Sequence, residues 1–456
     1  MNKISIVSLC SLIFFFAFFL GFYVYHAKVW PYREFKEVKD FISGDSEADI
    51  SLKEKIENDL NFKPSRHIKT ADKGSGRWLQ FSKGFDSKNH TTLEGLNLNP
   101  RREKPSIFLS DKAPKGYRII QGTFDFKNTL HGAILLNPEG KVTHVWYLSQ
   151  KGIKWDHQKD TNIFPHGFAV APDGSIAAAF DDGNSLTKYD YCGNIIWQLE
   201  GLFHHSISFE DENTIWTWRR RPYEWMDTAE MLVKVDYNTG KILKEIPLVN
   251  VMKANPDIDI FSIFQKDTPE GSKWADTPSG FWHTNDIEPL KKEFEQYYPD
   301  FKAGDLLVSL RTPDLIFVVD QKTLKVKWWR QGLTRRQHDP DWNNTKGTIT
   351  IFNNNMHRGY SNIKEINPTT YNAKVLLEGK KYDFYTWWRG KHQILPNGGI
   401  LVTSPDQGRV FETDTKGNIT FEFLNTYKKD KEYLAVSEAI FLPFNYFKTL
   451  PQCSSK

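Results

Sequence analysis

The segment Val319–Trp328, VDQKTLKVKW, contains a strand, an aspartate-led turn and a second strand that ends in an aromatic residue. Five related segments occur elsewhere, and each has an Asn or Asp at its turn. Consecutive turn residues lie 53, 46, 84, 47 and 47 positions apart. A strand–turn–strand unit with this period is typical of a β-propeller, so six copies predict six four-stranded blades. The turn residues are Asn137, Asp190, Asp236, Asp320, Asn367 and Asp414.

The last apolar segment, Tyr433–Phe444, is the candidate closing strand of the ring. It would pair with the first blade, whose other strands come from Gly116–Trp146. Closure of this kind leaves no exposed sheet edge. The predicted fold is therefore all-β, with a six-bladed propeller over residues 111–448 and a short tail at 449–456.

Two further parts are predicted before the propeller. Ile4–Tyr25 has no charge over 22 positions, which is enough for a helix to cross the hydrocarbon core. This run is longer than a typical signal-peptide core and no small-x-small site follows it, so residues 1–28 are interpreted as an uncleaved anchor. Residues 29–110 are interpreted as a stalk with short helices. The basic residues after the span favour a cytoplasmic body.

Composition limits the possible partners and cross-links. The net charge of +4 comes from 60 basic and 56 acidic residues. The sequence contains no basic run with interleaved aromatics, so it gives no indication of a nucleic acid partner. Three cysteines exclude a disulfide scaffold and a CxxC metal site. Cys10 lies in the apolar leader, so Cys192 and Cys453 form the one possible disulfide of the body, or both are unpaired.

Five histidines precede the first strong strand of a repeat. Radial symmetry converts such a sequence position into a ring, so we expect these side chains to face one another at one mouth of the central channel. The five are His166, His205, His283, His338 and His392.

This histidine ring could instead have a structural or a metal-binding role. His166 and His205 could serve only to pack neighbouring blades. Clustered imidazoles also bind zinc or copper, although five ligands on such a ring are spread too widely for one tetrahedral ion. Asp339–Asn343 resembles the start of a calcium loop, but the glycine is out of register at Gly347 and no terminal Glu follows. We therefore predict neither a metal site nor a cofactor.

The stretch Arg335–Gly359 adds an arginine to this ring. It begins with His338, continues as the alternating strand Gly347–Phe352, and ends in an amide-rich turn that leads to His357 and Arg358. An arginine held at the mouth of a histidine-lined channel indicates an anionic ligand.

Three segments, taken as an ordered set, resemble the arylsulfotransferase family over roughly Gly116–Phe444. That family consists of six-bladed propellers that move a sulfuryl group between phenols without a nucleotide donor. The segments are FWHTNDIEPL followed by GDLLVSLRTPDLIFVVD, RQHDPDW followed by GTITIFNNNMHRG, and HQILPNGGILVTSPDQGRVFETD.

The resemblance implies a ping-pong reaction through a sulfohistidine, with an aryl sulfate donor and a phenolic acceptor. His283 matches the histidine of the family's H-x-N-S motif, and His338 matches the histidine of its Gln-His pair. Arg358 matches the arginine after the turn, and His392 is the best match for the nucleophile. His205, His166, Asn285 and Trp282 are assigned to substrate binding. The likeness also favours a periplasmic or extracytoplasmic body.

These residue types suit sulfuryl transfer. Unprotonated imidazole is a strong nucleophile at pH 7, and Arg358 can offer a bidentate fork to sulfuryl oxygens. His283 or His338 would deliver a proton to the leaving phenolate. Aromatic residues near the mouth either stack on the phenyl ring or belong to the blade core: Trp282, Trp342, Trp387 and Trp388.

Two departures from the family pattern leave another function open. The family's Asp-Asn-Gly turn is Asn353–Asn355 here, and Asp286 replaces the serine of H-x-N-S. A propeller that binds an anionic ligand or a partner protein without turnover is therefore the alternative to a transferase.

Overall fold

The computed structural model describes residues 79–81, 88–148, 164–181, 185–220, 230–258, 282–356, 358–386, 388–428, 432–450 and 452–453, with Phe15, Phe19 and Tyr23. These three aromatic residues are helical and exposed. Otherwise the predicted anchor and residues 29–78 of the predicted stalk lie outside the described residues. Within the described part of the chain, none of the helices has both the length and the apolar character needed to cross a membrane. The chain divides into two compact units, residues 1–63 and 64–456, and the second holds all the strands.

Three short strands precede the blades: β1 (Leu79–Phe81), β2 (Thr91–Thr92) and β3 (Ser106–Leu109). Blade 1 contains β4 (Gly116–Thr123), β5 (His131–Leu136) and β6 (Val142–Leu148). Blade 2 contains β7 (Phe164–Val170), β8 (Ile176–Asp181), β9 (Ser185–Tyr189) and β10 (Ile195–Glu200). Blade 3 contains β11 (Leu202–Asp211), β12 (Thr214–Arg220), β13 (Glu230–Asp236) and β14 (Ile242–Pro247), and helix α1 (Leu248–Ala254) follows it.

Blade 4 contains β15 (Thr284–Pro289), a 3₁₀ turn (Lys292–Tyr297), β16 (Leu306–Leu310), β17 (Leu315–Val319) and β18 (Val326–Gln331). Blade 5 contains β19 (His338–Asn343), β20 (Thr348–Asn353), β21 (Asn362–Ile366) and β22 (Ala373–Glu378), followed by helix α2 (Gly379–Tyr382). Blade 6 contains β23 (Lys391–Ile394), β24 (Ile400–Ser404), a 3₁₀ turn (Pro405–Gln407), β25 (Arg409–Thr413) and β26 (Ile419–Leu424). The last strands are β27 (Thr426–Lys428), β28 (Glu432–Leu434) and β29 (Val436–Pro443).

The ring closes as the sequence predicts. The strand β29 pairs antiparallel with β4, so that Val436 lies opposite Gly122 and Pro443 opposite Gly116. Blade 1 therefore has the order β29-β4-β5-β6, and its innermost strand comes from the far end of the chain. The innermost strands β7, β11, β15, β19, β23 and β29 contact one another around the axis. The six-bladed propeller is confirmed.

The end of the predicted stalk belongs to the propeller. Strand β3 pairs with β26 and strand β2 pairs with β3, which extends blade 6 to the order β2-β3-β26-β25-β24-β23. Strands β1, β28 and β27 form a separate sheet in the order β1-β28-β27. Of these, β27 and β28 follow the last strand of blade 6 in the sequence. The outer edge of blade 6 is thus covered by residues that the sequence alone placed before the propeller.

The hydrophobic core is divided among the six interfaces between neighbouring blades. Ile119 packs in the cluster between blades 1 and 2, whereas the next residue, Ile120, packs in the cluster between blades 6 and 1. Leu307 likewise faces blade 5 while Leu306 faces blade 3. Because successive side chains of a strand point to opposite faces and both faces are covered, the central strands are apolar almost throughout.

The six turn residues that revealed the repeat have one local role. Each lies between the third and fourth strands of a blade, and its side-chain oxygen accepts a backbone N–H two to four residues later. Asn and Asp favour such turns because their short side chains replace a backbone acceptor.

A disulfide and a buried ion pair join parts of the chain that are distant in sequence. Cys192 and Cys453 form a disulfide that ties the C-terminal tail to blade 2, with Cα atoms 5.4 Å apart. Arg118 of blade 1 donates two hydrogen bonds of 2.7 Å to Glu412 of blade 6, and both side chains are buried.

Candidate active site

The innermost strands begin with irregular pairing where the histidines lie. Register shifts occur near the start of β7, β11, β15, β19 and β29. His205 and His283 have positive φ angles of 61° and 44°. Such irregularities turn side chains away from the alternating pattern of a strand and are common beside functional sites.

Four of the five predicted histidines converge. The ring centroids of His166 and His205 are 4.4 Å apart, and those of His205 and His283 are 5.4 Å apart. His338 lies near enough to His166 and His283 for their charges to affect its pKa. We call these four residues, His166, His205, His283 and His338, the histidine cluster.

His338 is buried and held in one tautomer. Its Nδ1–H donates to Asn354 Oδ1 at 2.7 Å, and its Nε2 accepts the backbone N–H of Arg389 at 3.1 Å. Burial, followed by the nearby Arg311 guanidinium, lowers the pKa of His338 well below its usual value. The imidazole is therefore neutral at pH 7, with its lone pair on Nε2.

Asn354 fixes this arrangement from the turn after β20. Its side chain is fully buried, and its Nδ2 donates to the carbonyl oxygens of Thr386 at 3.0 Å and Arg389 at 2.6 Å. Both amide hydrogens are thus used, which leaves Oδ1 as the acceptor that faces His338. The amide-rich turn in the sequence supplies this support as well as leading to Arg358.

Arg311 is a site residue that sequence reasoning missed. Its backbone N–H donates to the carbonyl of His283 at 3.0 Å, because β16 runs beside β15. Its Nη2 contacts Met356 Sδ at 3.8 Å, whereas Nε has no hydrogen-bond partner and no salt bridge forms within the described residues. Burial, aided by Arg336, lowers its pKa to about 10, so it stays cationic. The signal was present, since Arg311 ends the LVSLR segment.

Asn285 links two blades at the edge of the cluster. Its Nδ2 donates to the backbone oxygen of Gln337 at 2.7 Å, directly before His338. Its Oδ1 is buried and has no partner among the described residues. This oxygen is a free acceptor beside the histidine cluster.

The predicted aromatic contacts are mostly core residues. Trp282 is 5% exposed and packs with Trp216 and Trp218 between blades 3 and 4, and its assignment to substrate binding stays a prediction. Trp342 is also buried, and its Nε1 donates to the carbonyl of Glu288. Trp388 is placed differently.

Trp388 belongs to a stack beside the cluster. The guanidinium carbon of Arg389 lies 4.1 Å from the ring centroids of both Trp388 and Phe164. This stack fixes Arg389, whose backbone N–H donates to His338 Nε2. Trp387 and His357 lie outside the described residues. Arg358 follows the same turn as Asn354, where its N–H donates to the Asn355 carbonyl, and its predicted catalytic role stays a prediction.

His392 forms its hydrogen bonds with a carboxylate of the neighbouring blade. Its side chain is fully enclosed, and both its backbone N–H and its Nδ1–H donate to Asp339 Oδ2, at 2.6 and 2.9 Å. Asp339 belongs to the neighbouring blade. The packing role that we considered for His166 and His205 is therefore seen at His392, whose catalytic role stays a prediction.

Acidic side chains line the innermost strands beyond the histidines. The Lys391 ammonium donates to Asp286 Oδ2 and Asp339 Oδ1, each at 2.8 Å. Burial raises the pKa of Asp286 to about 6, of Glu288 to about 7 and of Glu438 to about 8. Several of these carboxyl groups therefore share protons near neutral pH. We call Asp286, Glu288, Asp339, Asp341, Glu438 and Lys391 the acidic cluster.

One trio in this region has the geometry of metal ligands. Ligand atoms of Asp339, Asp341 and His392 lie within 4.8 Å of one another. However, Lys391 and His392 already occupy both oxygens of Asp339. The predicted calcium-like segment forms the strand β19 rather than a loop.

Comparisons with known proteins agree with the sequence motifs. Residues 167–426, more than half of the chain, match the family model described as "Arylsulfotransferase (ASST)". No curated protein sequence matches the chain.

Several solved structures are distantly similar to the chain. A protein of unknown function from Bacteroides caccae is 11% identical, with 72% of this chain and 98% of that chain covered and a TM-score of 0.42. TolB from Acinetobacter baumannii is 13% identical, with 72% and 67% covered and a TM-score of 0.42. Virginiamycin B lyase from Staphylococcus aureus is 10% identical, with 57% and 70% covered and a TM-score of 0.32. Nothing about function follows from likenesses this distant.

Proposed function

The chain belongs to the arylsulfotransferase family, and we propose that it moves a sulfuryl group from a phenolic sulfate ester to a phenolic acceptor through a sulfohistidine. The observation that carries this proposal is a neutral, buried imidazole, His338, next to Arg311, a cation without a salt bridge in the described structure. A neutral nucleophile and a buried cation suit an anionic ester with a charge-spreading transition state.

We assign the nucleophile to His338. Its Nε2 lone pair would attack sulfur, the bond from sulfur to the phenolic oxygen would break, and the phenolate would leave with a proton supplied by another imidazole of the histidine cluster. Attack requires Nε2 to exchange its 3.1 Å hydrogen bond from Arg389 for the sulfur atom. Arg311 would bind the sulfuryl oxygens, and Asn285 Oδ1 would accept a hydrogen bond from the bound phenol. The acceptor phenol then takes the group in the reverse sequence.

The sequence resemblance instead favours His392 as the nucleophile. The backbone N–H and Nδ1 of His392 both bond to Asp339 of the neighbouring blade, which supports a packing role for this residue and argues against its being the nucleophile. The two assignments predict different variants that lose the intermediate.

Intact-protein mass after incubation with 4-nitrophenyl sulfate tests the proposal. We expect the gain of one acid-labile sulfuryl group, with release of nitrophenol. The adduct should be absent in His338→Ala and retained in His392→Ala. The reverse pattern would move the nucleophile to His392 and keep the function, whereas no adduct and no released phenol from any aryl sulfate would refute the function.

A second function is favoured by one observation. Asp286, which replaces the family's serine, forms an ion pair with Lys391 and does not extend the histidine cluster. A propeller that binds aryl sulfates without turnover would keep Arg311 and lose the transfer step. Calorimetric binding of 4-nitrophenyl sulfate without adduct formation would support this alternative.

We also propose that residues 1–28 anchor the propeller at the outer face of the cytoplasmic membrane. The Cys192–Cys453 disulfide supports this location, because such bonds persist in oxidising compartments. Protease added to intact spheroplasts should release the propeller. Protection of the propeller until the membrane is lysed would contradict this orientation.

A further inference from the structure

Two consecutive histidines of β11 touch each other, which a regular strand forbids. Neighbouring side chains on a strand point to opposite faces. Here the pairing register shifts between His204 and Ile207, and His205 has a φ of 61°. The irregular backbone brings the two Nδ1 atoms to 2.6 Å. His205 remains in the histidine cluster, while His204 lies behind it and is 6% exposed.

A buried carboxylate lies behind His204. His204 Nε2 is 3.1 Å from Glu230 Oε2, and Glu230 also accepts hydrogen bonds from Thr284 Oγ1 at 3.0 Å and Arg220 Nε at 2.8 Å. Burial opposes ionisation of Glu230, but His204 and Arg220 outweigh it and lower its pKa to about 2. The carboxylate is therefore charged at neutral pH, and His204 Nε2 carries the hydrogen that it accepts.

Only one proton can lie between the Nδ1 atoms of His204 and His205, which are 2.6 Å apart. When both rings are neutral, that proton belongs to His205 Nδ1 and is donated to His204 Nδ1, so the lone pair of His205 lies on Nε2. When the pair gains a proton, the shared hydrogen belongs to His204, and His205 Nε2 carries an N–H. The position of the shared proton thus sets whether His205 is a base or an acid.

We propose that Glu230, His204 and His205 form a proton relay in which His205 is the general acid and base of sulfuryl transfer. The inference rests on the proposed function and adds to it. His205 Nε2 takes the proton of the acceptor phenol, and its Nδ1 proton passes to His204 Nδ1. The positive charge then resides on His204 beside Glu230. The steps run in reverse when the phenolate of the donor leaves. Glu230 and His204 are positioning residues, because neither contacts the substrate.

Donors with different leaving groups test the relay. 4-Nitrophenolate is a stable anion and leaves without a proton, whereas the phenolate of phenyl sulfate needs one. For Glu230→Gln and His204→Gln we expect kcat/KM to fall about a hundredfold with phenyl sulfate, a typical contribution of general acid catalysis. With 4-nitrophenyl sulfate the loss should stay below about threefold. The ratio of the two rates does not depend on how much of the variant is folded.

Glu412→Gln is the matched control, since it neutralises another buried, arginine-paired carboxylate in the interface between blades 6 and 1. Its ratio should equal that of the wild type. Equal losses with both donors in Glu230→Gln and His204→Gln would overturn the relay and leave the proposed function intact. A wild-type chain that transfers from neither donor would refute both.

Discussion

The innermost strands carry two clusters of opposite chemistry, often at neighbouring positions such as His338 and Asp339. In the histidine cluster the imidazole of His338 is neutral, and Arg311 has no salt bridge in the described structure. In the acidic cluster, carboxyl groups outnumber the one ammonium, that of Lys391. The backbone is irregular in both, because positive φ angles occur at His205 and His283 in one cluster and at Asp339 in the other. The histidine cluster is therefore arranged for a ligand, whereas the acidic cluster forms its hydrogen bonds and ion pairs among its own side chains.

Removing the ammonium should break the acidic cluster and spare the histidine cluster. Lys391→Met leaves Asp286 and Asp339 without their cation, so the free energy of unfolding should fall by about 3–5 kcal/mol at pH 7.5. Chemical denaturation measures this loss, and Lys391→Arg should retain most of the stability. The adduct yield per folded molecule should not change, and a loss of adduct would show that the two clusters act together.

Removing the guanidinium should have the converse effect. Arg311→Gln should lower kcat/KM by about 10²–10³, the usual cost of losing one donor to a developing anion. It should change stability little, because Arg311 has no salt bridge to lose in the described part of the chain. The pKa of His338 should rise, because the Arg311 guanidinium lowers it in the wild type. The acid limb of the pH–rate profile should therefore shift to higher pH. Unchanged kinetics would remove Arg311 from the site.

Asn354→Leu should have a smaller effect, confined to the histidine cluster. The substitution leaves the His338 N–H and the carbonyl oxygens of Thr386 and Arg389 without partners, at a cost of about 1–3 kcal/mol in stability. The adduct should form more slowly because the tautomer is no longer fixed. Nitrogen NMR of the His338 ring should show mixed tautomers, and a single unchanged tautomer would contradict this role.

The last expected effect is the pH dependence of stability, and it has opposite signs in the two clusters. The folded-state pKa values of Glu288 and Glu438, about 7 and about 8, exceed the ordinary 4.5, so their contribution is complete below 4.5 and is lost as pH rises to about 8. The pKa of His338 is lowered from 6.5, so its contribution is present above that pH and is lost as pH falls.

Thermal unfolding across the pH range separates these contributions. Glu438→Gln should flatten the alkaline decline, and His338→Gln should flatten the acid decline. Since the two substitutions act on different limbs, each is the control for the other. A common effect on both limbs would contradict the separation.

Sequence reasoning predicted the architecture because the repeat is local. An Asx turn needs only a few neighbouring residues, and β29 was identifiable as an apolar segment with no partner in its own repeat. The position of four histidines followed from the same symmetry. The acidic cluster was not predicted, although Asp286 and Glu288 alternate along a strand, as Asp339 and Asp341 do.

The positions of the remaining site residues depend on strand pairing and register shifts, which leave no local pattern in the sequence. Arg311 becomes a site residue only because β16 pairs beside His283. His204, which bonds to Glu230, contacts His205 only because the strand pairing shifts register at this point. The sequence does not show such a shift. His392 satisfies the repeat and yet bonds to Asp339, because the ring position alone does not determine which way a side chain turns.

The pairing of β29 with β4 also affects how the chain folds during synthesis. Blade 1 acquires β4 at residues 116–123 but obtains β29 only at residues 436–443. At typical translation rates of about 5–20 residues per second, β4 waits on the order of tens of seconds for its partner. During that time the nascent chain has an open sheet edge of the kind that recruits other chains. The synthesis of residues 436–443 thus decides whether the earlier blades close into a ring or expose an edge that promotes aggregation.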